Sequence, residues 1–495
     1  MTGLYPSSPD LSHLARLALA SIERSQTESS VQAPTLPQQN DQEHYLLQIL
    51  AANERFQKPE LRRLPLTLPT EVPLQIDSKA PSLGSALDVT RIRQDFPILK
   101  EVVNGHPLVW LDNAATTHKP RVVIERLVQF YEHENSNIHR AAHTLAGRAT
   151  DAYEKARSSV ARFLGAEGPE QIVFGRGTTE LINLVAQSWG LANLKQGDEI
   201  LITWLEHHAN IVPWQLLSER TGARLVVAPV DERGQLRLDE FERLVTARTK
   251  LVSATHVSNA LGTITPVHEI TAIAHRHGAR VLIDGAQAVS HMPVDVQSIG
   301  CDWYVFSGHK VFGPTGIGAL YGRKDVLLTS PPWQGGGNMI EDVTFERTIY
   351  QTAPMRFEAG TGNIADAVGL GAALDYLETI GMPRIACYES ELLHYATEAL
   401  LGVPGLRLIG TAADKASVLS FVLAGVAPEQ VGHALSEQGI AVRAGHHCAQ
   451  PILRRYGLES TVRPSLAFYN TQDEIDQLKH TLLSLRSRFG LHSLV

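Results

Sequence analysis

The sequence predicts an α/β protein: a mainly parallel sheet with helices on both faces, joined to a smaller α+β domain. Three observations carry this. Short apolar runs alternate with helical stretches from about residue 150 to residue 310, the pattern of a parallel sheet with crossover helices. Polar residues gather just where those runs end, as Asp284 and Lys310 do around VLIDGAQAVSHMPVDVQSIGCDWYVFSGHK (281–310); in open α/β sheets the ligand crevice lies at strand ends. After Asn363 the alternation gives way to helices, one strand, a turn and a last helix.

Taken in order, residues 1–88 differ from the rest. SQTESSVQAPTLPQQNDQE is rich in Ser, Gln and Pro, and LRRLPLTLPTEVPLQIDSKAPSLGS is broken by prolines. Such composition predicts a disordered, tethering extension. Two islands stand out: Leu11, Leu14, Ala15, Ala18 and Ile22 share one helical face, and so do Leu46, Leu47 and Leu50. Each is an amphipathic helix too short to fold alone. They would dock on their own catalytic domain or lie in a partner's groove; with few cations and no aromatic residue, the first suits a membrane surface less well.

The folded body is expected to begin near Asp88, the N-cap of a short helix. VWLDNAATTHKP reads as a strand running into a polar turn, Arg121 to Glu132 as a helix, and HENSNIHRAAHTLA as a polar loop. A helix over Asp151 to Phe163 follows. QIVFGRG, EILITWLEHHAN, RLVVAPV and LVSATHVSNA read as strands separated by helices. Val281 to Ile283 and Trp303 to Phe306 are apolar runs suited to strands buried on both faces. PPWQGGGNMI (331–340) is a glycine-rich loop. VLSFVLAG is a strand of the smaller unit, and IAVRAGHHCAQP is a turn. The expected division is 1–88 extension, 89–105 with 378–495 as the small domain, and 106–377 as the large one.

Composition narrows the function. The chain has 495 residues, 43% hydrophobic and 19% charged, with a formal charge of −8. That is ordinary for a globular protein and gives no footprint for nucleic acid. Three cysteines, Cys301, Cys387 and Cys448, form no disulfide framework and point to a reducing, cytoplasmic setting. No apolar run is long enough for a membrane span, and no basic-then-apolar leader precedes the body.

Several residues have the types and places that chemistry needs. An aldehyde cofactor such as pyridoxal phosphate needs a lysine amine and a carboxylate facing its ring nitrogen; Lys310 and Asp284 would fill those places. In GRGTTE (175–180), Thr178 and Thr179 sit where a helix begins after a strand, a cradle for phosphate, and Ser307 and His309 flank Lys310. In EHHAN (206–210), one of two adjacent histidines can stack on a flat ring. Both are expected on a strand, so they would face opposite ways. A zinc site from His207, His208, His446, His447 and Cys448 is disfavoured, because neither pair has ligand spacing. In RAGHHCAQP, Cys448 lies in a loop beside an arginine and two histidines, a setting that favours the nucleophilic thiolate. Cys301 and Cys387 read as packing residues in apolar surroundings. Arg463 has the fork for a substrate carboxylate.

Together LDNAATT, RGTTE, EHHANIVPW, THVSN, DGAQAV, FSGHK, FEAGT and RAGHHCA resemble, in order and over roughly residues 88–490, the group II (SUF-type) cysteine desulfurases. The resemblance implies fold type I of the pyridoxal phosphate enzymes, a seven-stranded sheet and a homodimer. It implies that Lys310 carries the cofactor and Asp284 pairs with its ring nitrogen. Gln287 would bond the ring oxygen and His207 stack on the ring. Thr178, Thr179, Ser307 and His309 would bind phosphate, joined by Thr361 of the partner subunit. Asn259 and Arg463 would hold the substrate carboxylate, with Arg443, His139 and Arg140 at the entry. Cys448 would attack the sulfur of L-cysteine and keep it as a persulfide for an acceptor protein or thiol reductant, an activity that serves iron–sulfur cluster assembly. The alternative is a selenocysteine lyase or another enzyme of this fold. The extension, with LARLALA at 14–20, is similar to the leaders of desulfurases carried inside family 2 encapsulin shells, which would place the protein in a nanocompartment.

Overall fold

The structure is a computed structural model that describes residues 87–139 and 142–488. The two amphipathic islands and Arg140 lie outside the described residues.

A seven-stranded sheet forms the centre. Its strands in chain order are β1 (Ile172–Gly175), β2 (Glu199–Thr203), β3 (Arg224–Ala228), β4 (Thr249–Thr255), β5 (Arg280–Asp284), β6 (Trp303–Ser307) and β7 (Gly318–Gly322). Across the sheet they run β1-β7-β6-β5-β4-β2-β3. All neighbours pair in parallel except β7, which is antiparallel to both β1 and β6. The expected number of strands and their mainly parallel sense both hold.

The two-residue period of a strand sends alternate side chains to opposite faces, and here both faces are buried. Phe174, Leu201, Val252, Ile283, Tyr304 and Ala319 enter one apolar core. Val173, Ile202, Leu251, Leu282, Val305 and Leu320 enter another. The first core is roofed by α1 (Arg121–His133), α2 (Thr144–Leu164) and, further along the chain, the helix Ile364–Ile380. The second is roofed by α3 (Thr178–Val185) and α4 (Val212–Thr221). Helix α2 starts at Thr144, seven residues before the expected Asp151, because the His143 side chain accepts from the Ala146 amide and caps it. The long helix Ile364–Ile380 (α5) packs tightly on α2: a Cβ added at Gly371 would stand 2.9 Å from the Ala156 Cα.

A four-stranded sheet follows, of β8 (Leu406–Ile409), β9 (Ser420–Leu423), β10 (Arg443–Gly445) and β11 (Thr461–Arg463), in the order β8-β9-β11-β10. Its core combines Phe421, Val462 and Leu435 with Leu392 and Leu400 of α6 (Met382–Leu401) and Leu478 and Leu482 of the last helix. Val109 and Leu111 join this core, and Val109–Trp110 pairs in parallel with Ile440–Ala441.

Two expectations need correction, and one element was not expected. EHHAN is not on a strand: β2 stops at Thr203, and His208–Asn210 form a single 3-10 turn. The segment after the glycine-rich loop is a hairpin, Ile340–Val343 with Thr348–Tyr350. Cys387 is not in apolar surroundings; it lies on the outer side of α6, 3.8 Å from Glu391. Cys301 is fully buried, as expected of packing, and burial pushes its thiol far up.

Candidate active site

The ends of β4, β5 and β6, the start of α3 and the β10 turn converge on a cavity of about 450 Å³. Thr178, Thr179, His207, Asn259, Asp284, Gln287, Ser307, His309, Lys310, Arg443, Cys448 and Arg463 all line it. Residues far apart in the sequence, from Ala114 to Arg463, meet there because strand ends are the one edge of the sheet that all crossovers leave open.

Asp284 ends β5 and is paired across the ladder with Thr255. One carboxylate oxygen accepts from the Ala286 amide at 2.9 Å. Burial pushes its carboxyl up, opposed by that bond and by the charge of Lys310. A cation over Asp284 is what would keep it ionised. Lys310 lies in the turn after β6. Burial lowers its amine to about 8, so a free amine is within reach near neutral pH.

His207 points into the cavity, while His208 turns the other way and stacks on His446 with centroids 5.8 Å apart. The His207 Nδ1 accepts from the Ala209 amide at 3.0 Å, which puts its proton on Nε2. Burial, then Lys310, push it down to about 3. It is a neutral ring at any working pH. Gln287 donates to the Ala114 carbonyl at 2.6 Å.

At one end, Gly177 has φ +150° and a Cβ there would meet the Ser307 Oγ at 3.1 Å. The Thr178 amide and hydroxyl both lie 2.9 Å from that Oγ. Hydroxyls and amides crowd the first turn of α3, a donor set that fits a phosphate. His309 is lowered to about 4 by burial and by Lys310 and Lys119.

At the other end, the Arg463 guanidinium is 2% exposed. It donates to the Asn259 carbonyl at 2.9 Å and to Asp112 at 3.2 Å, and Arg443 donates to the other Asp112 oxygen at 3.2 Å. Burial lowers Arg463 to about 10. The Arg463 Nε and the Asn259 Oδ1 are buried without partners. Buried polar groups rarely stay unpaired, so these two fit a polar ligand with a carboxylate and an amine.

Cys448 borders the same cavity on a short loop. His447 and Cys448 both have φ +53°, a region that few non-glycine residues enter. The loop is pinned by Asn259 donating to the His447 carbonyl at 2.6 Å, by His447 bonded to the Thr461 hydroxyl at 2.8 Å, and by the His208 amide donating to the Cys448 carbonyl at 2.8 Å.

Two of the expected residues stand apart in this chain. Thr361 borders a different cavity, with Trp333 and Gln334. His139 bonds Glu154 at 2.8 Å and lies near Asn338. Three residues received no role from the sequence: Asp112, which joins the two arginines; Thr255, beside Asp284; and Glu206, under the EHHAN turn. For Asp112 a signal existed, since two arginines in one pocket need a counter-ion. Among the described residues no cluster of three His, Cys, Asp or Glu is arranged for a metal.

A lysine and a buried aspartate at adjacent strand ends, with a donor-rich helix start beside them, have the residue types that a pyridoxal phosphate enzyme needs. The chain belongs to the aminotransferase class-V family, whose model matches residues 109–478. It is 67% identical over 416 residues to the cysteine desulfurase of Synechococcus elongatus, covering 83% of this chain and 66% of that one. It is 68% identical to a probable cysteine desulfurase of Mycolicibacterium paratuberculosis, covering 79% and 57%. The chain thus spans two thirds or less of the length of these relatives. It is also 51% identical to the cysteine desulfurase of Klebsiella pneumoniae, covering 81% of this chain and 99% of that one. Among solved structures, an Escherichia coli cysteine desulfurase in an S-sulfonic acid form matches with a TM-score of 0.75 at 39% identity, covering 83% of this chain and all of that one. A Thermococcus onnurineus cysteine desulfurase matches with a TM-score of 0.78 at 38% identity, covering 82% and 99%.

Proposed function

We propose that this chain is a cysteine desulfurase of the group II type, turning L-cysteine into L-alanine and leaving the sulfur as a persulfide on Cys448. One observation carries the reading: Cys448, Lys310, Asp284 and the incompletely paired Arg463–Asn259 corner line a single cavity. Pyridoxal phosphate, when bound, supplies an electron sink for the pair left at the substrate α-carbon. Thr178, Thr179, Ser307 and His309 would hold its phosphate, Asp284 its ring nitrogen, Gln287 its ring oxygen, and His207 its face.

The rest is the work of the chain. Arg463 grips the substrate carboxylate, while Asn259, whose Oδ1 is left free to accept, takes a donor of the substrate; together they aim the thiol end at Cys448. Lys310, free to lose its proton near pH 8, takes the α-proton. The Cys448 thiolate attacks the substrate sulfur. A sulfur–sulfur bond forms, the carbon–sulfur bond breaks, its electron pair stays on carbon, and protons return there to give alanine.

The reading is tested by Cys448→Ser. Sulfide and alanine release should fall to background while the yellow absorbance of the bound cofactor stays. Normal sulfide release from that variant would overturn it. We further propose a cytoplasmic homodimer in which Thr361 reaches the partner's phosphate site and His139 lines the entry to the cavity. Residues 1–88 would serve as a tether to a partner or an encapsulin shell. Removing them should leave cysteine turnover intact and abolish co-assembly with a co-expressed shell; undiminished encapsulation would refute the tether.

A further inference from the structure

The EHHAN turn is closed by its own ends. Glu206 and Asn210 bond side chain to side chain at 2.5 Å, across the turn that displays His207 to the cavity and His208 to the Cys448 carbonyl. Glu206 is 1% exposed, and among the described contacts no cation pairs with it. Its other oxygen accepts from the Thr255 amide at 3.1 Å and from the Thr203 hydroxyl at 2.6 Å. The β2–β4 ladder makes its last pair at Ile202 and Ser253. The Glu206 carboxyl therefore takes the place of a missing backbone partner at the end of β4, next to Asp284.

We propose that Glu206 is a positioning residue for the cofactor: it fixes His207, which would cover the ring, and the Thr255–Asp284 pair, which would hold its nitrogen. This rests on the reading of the cavity as the pyridoxal phosphate site. The hydrogen-bond logic makes the residue type specific. Asn210 cannot flip, because its Oδ1 accepts from the donor-only indole of Trp214 at 2.9 Å and from Ser253 at 2.6 Å. Its amide nitrogen must face Glu206. The Thr255 amide is likewise a fixed donor. Residue 206 must then offer an acceptor at both oxygens, which glutamate does and glutamine does not. Burial pushes the carboxyl up to about 8; when protonated it donates to Thr203 and still accepts from the other two.

The same logic supplies a rescue. Glu206→Gln turns an NH2 toward the Asn210 NH2. Adding Asn210→Asp gives that NH2 a carboxylate oxygen, while the other aspartate oxygen keeps Trp214 and Ser253. The test titrates the apo-enzyme with pyridoxal phosphate and records the visible circular dichroism of the bound form. For Glu206→Gln, affinity should fall about tenfold, as expected for one unsatisfied buried donor, and the visible dichroism should change. The double variant should recover both. Wild-type affinity and dichroism in Glu206→Gln, whatever its melting temperature, would overturn the proposal. So would a double variant that folds but recovers neither. If the single variant does not fold, a double variant that folds and binds supports the proposal and one that also fails to fold overturns it. Wild-type protein that takes up no pyridoxal phosphate would instead refute the reading of the cavity.

Discussion

Lys310 and Asp284 show how burial sets the chemistry of single residues. An ordinary lysine amine is protonated up to about pH 10.4; Lys310, lowered to about 8 by its surroundings, is not. Uptake of pyridoxal phosphate by the apo-enzyme should therefore speed up as pH rises towards 8 and level off beyond it, followed by visible absorbance. The sign follows from linkage. Between pH 8 and the unfolded value the unfolded chain holds the extra proton, so this lysine destabilises the apo fold most below pH 8 and progressively less above it. Lys310→Met should accordingly stabilise the apo-protein near pH 7, with the gain shrinking towards pH 10, measured by urea denaturation. At Asp284, replacement by Asn removes the charge that would hold a ring nitrogen protonated. Turnover should fall at least about a hundredfold with the cofactor still bound. These two residues were legible in the sequence because lysine and aspartate at the ends of apolar runs are conspicuous. Glu206 was not, because one of its partners is a backbone amide that sequence does not display, and Asp112 was signalled only indirectly, by two arginines that need a counter-ion.

At the level of elements, the parallel strands announced themselves as apolar runs, whereas β7 did not. Gly318–Gly322 has glycine at both ends and alanine within, a composition of low strand propensity, and it is held instead by ladders on both sides. The early start of α2 was missed for a similar reason, since histidine is an unusual N-cap. Close contact of α2 with α5 depends on Gly371. Gly371→Leu would force the helices apart and should cost about 1–3 kcal/mol, the usual range for overpacking, read from chemical denaturation with the cofactor removed.

Across the whole molecule, one buried pair ties the large sheet to the helix that supports the small one. His291, after β5, bonds Glu389 of α6 at 2.6 Å, and the same carboxylate oxygen accepts from Ser417 at 3.1 Å. Glu389→Ala leaves His291 buried without its partner and should cost about 1–3 kcal/mol, which a urea titration would detect. The general division into a sheet of crossovers and a later α+β unit was readable from the rhythm of the sequence. How the two units lock was not, since the locking residues are isolated polar side chains with no motif.

The paired φ of +53° at His447 and Cys448 has a consequence for how the Cys448 loop can move. A left-handed residue other than glycine carries on the order of 1 kcal/mol of strain, so this loop sits on a raised ledge, kept there by the Asn259, Thr461 and His208 bonds. Loosening any of these would let the backbone relax and would free Cys448 to move away from the cavity. Thr461→Val removes the bond to His447 without touching either left-handed residue, and Cys448 in that variant should react faster with a bulky external alkylating reagent than the native thiol.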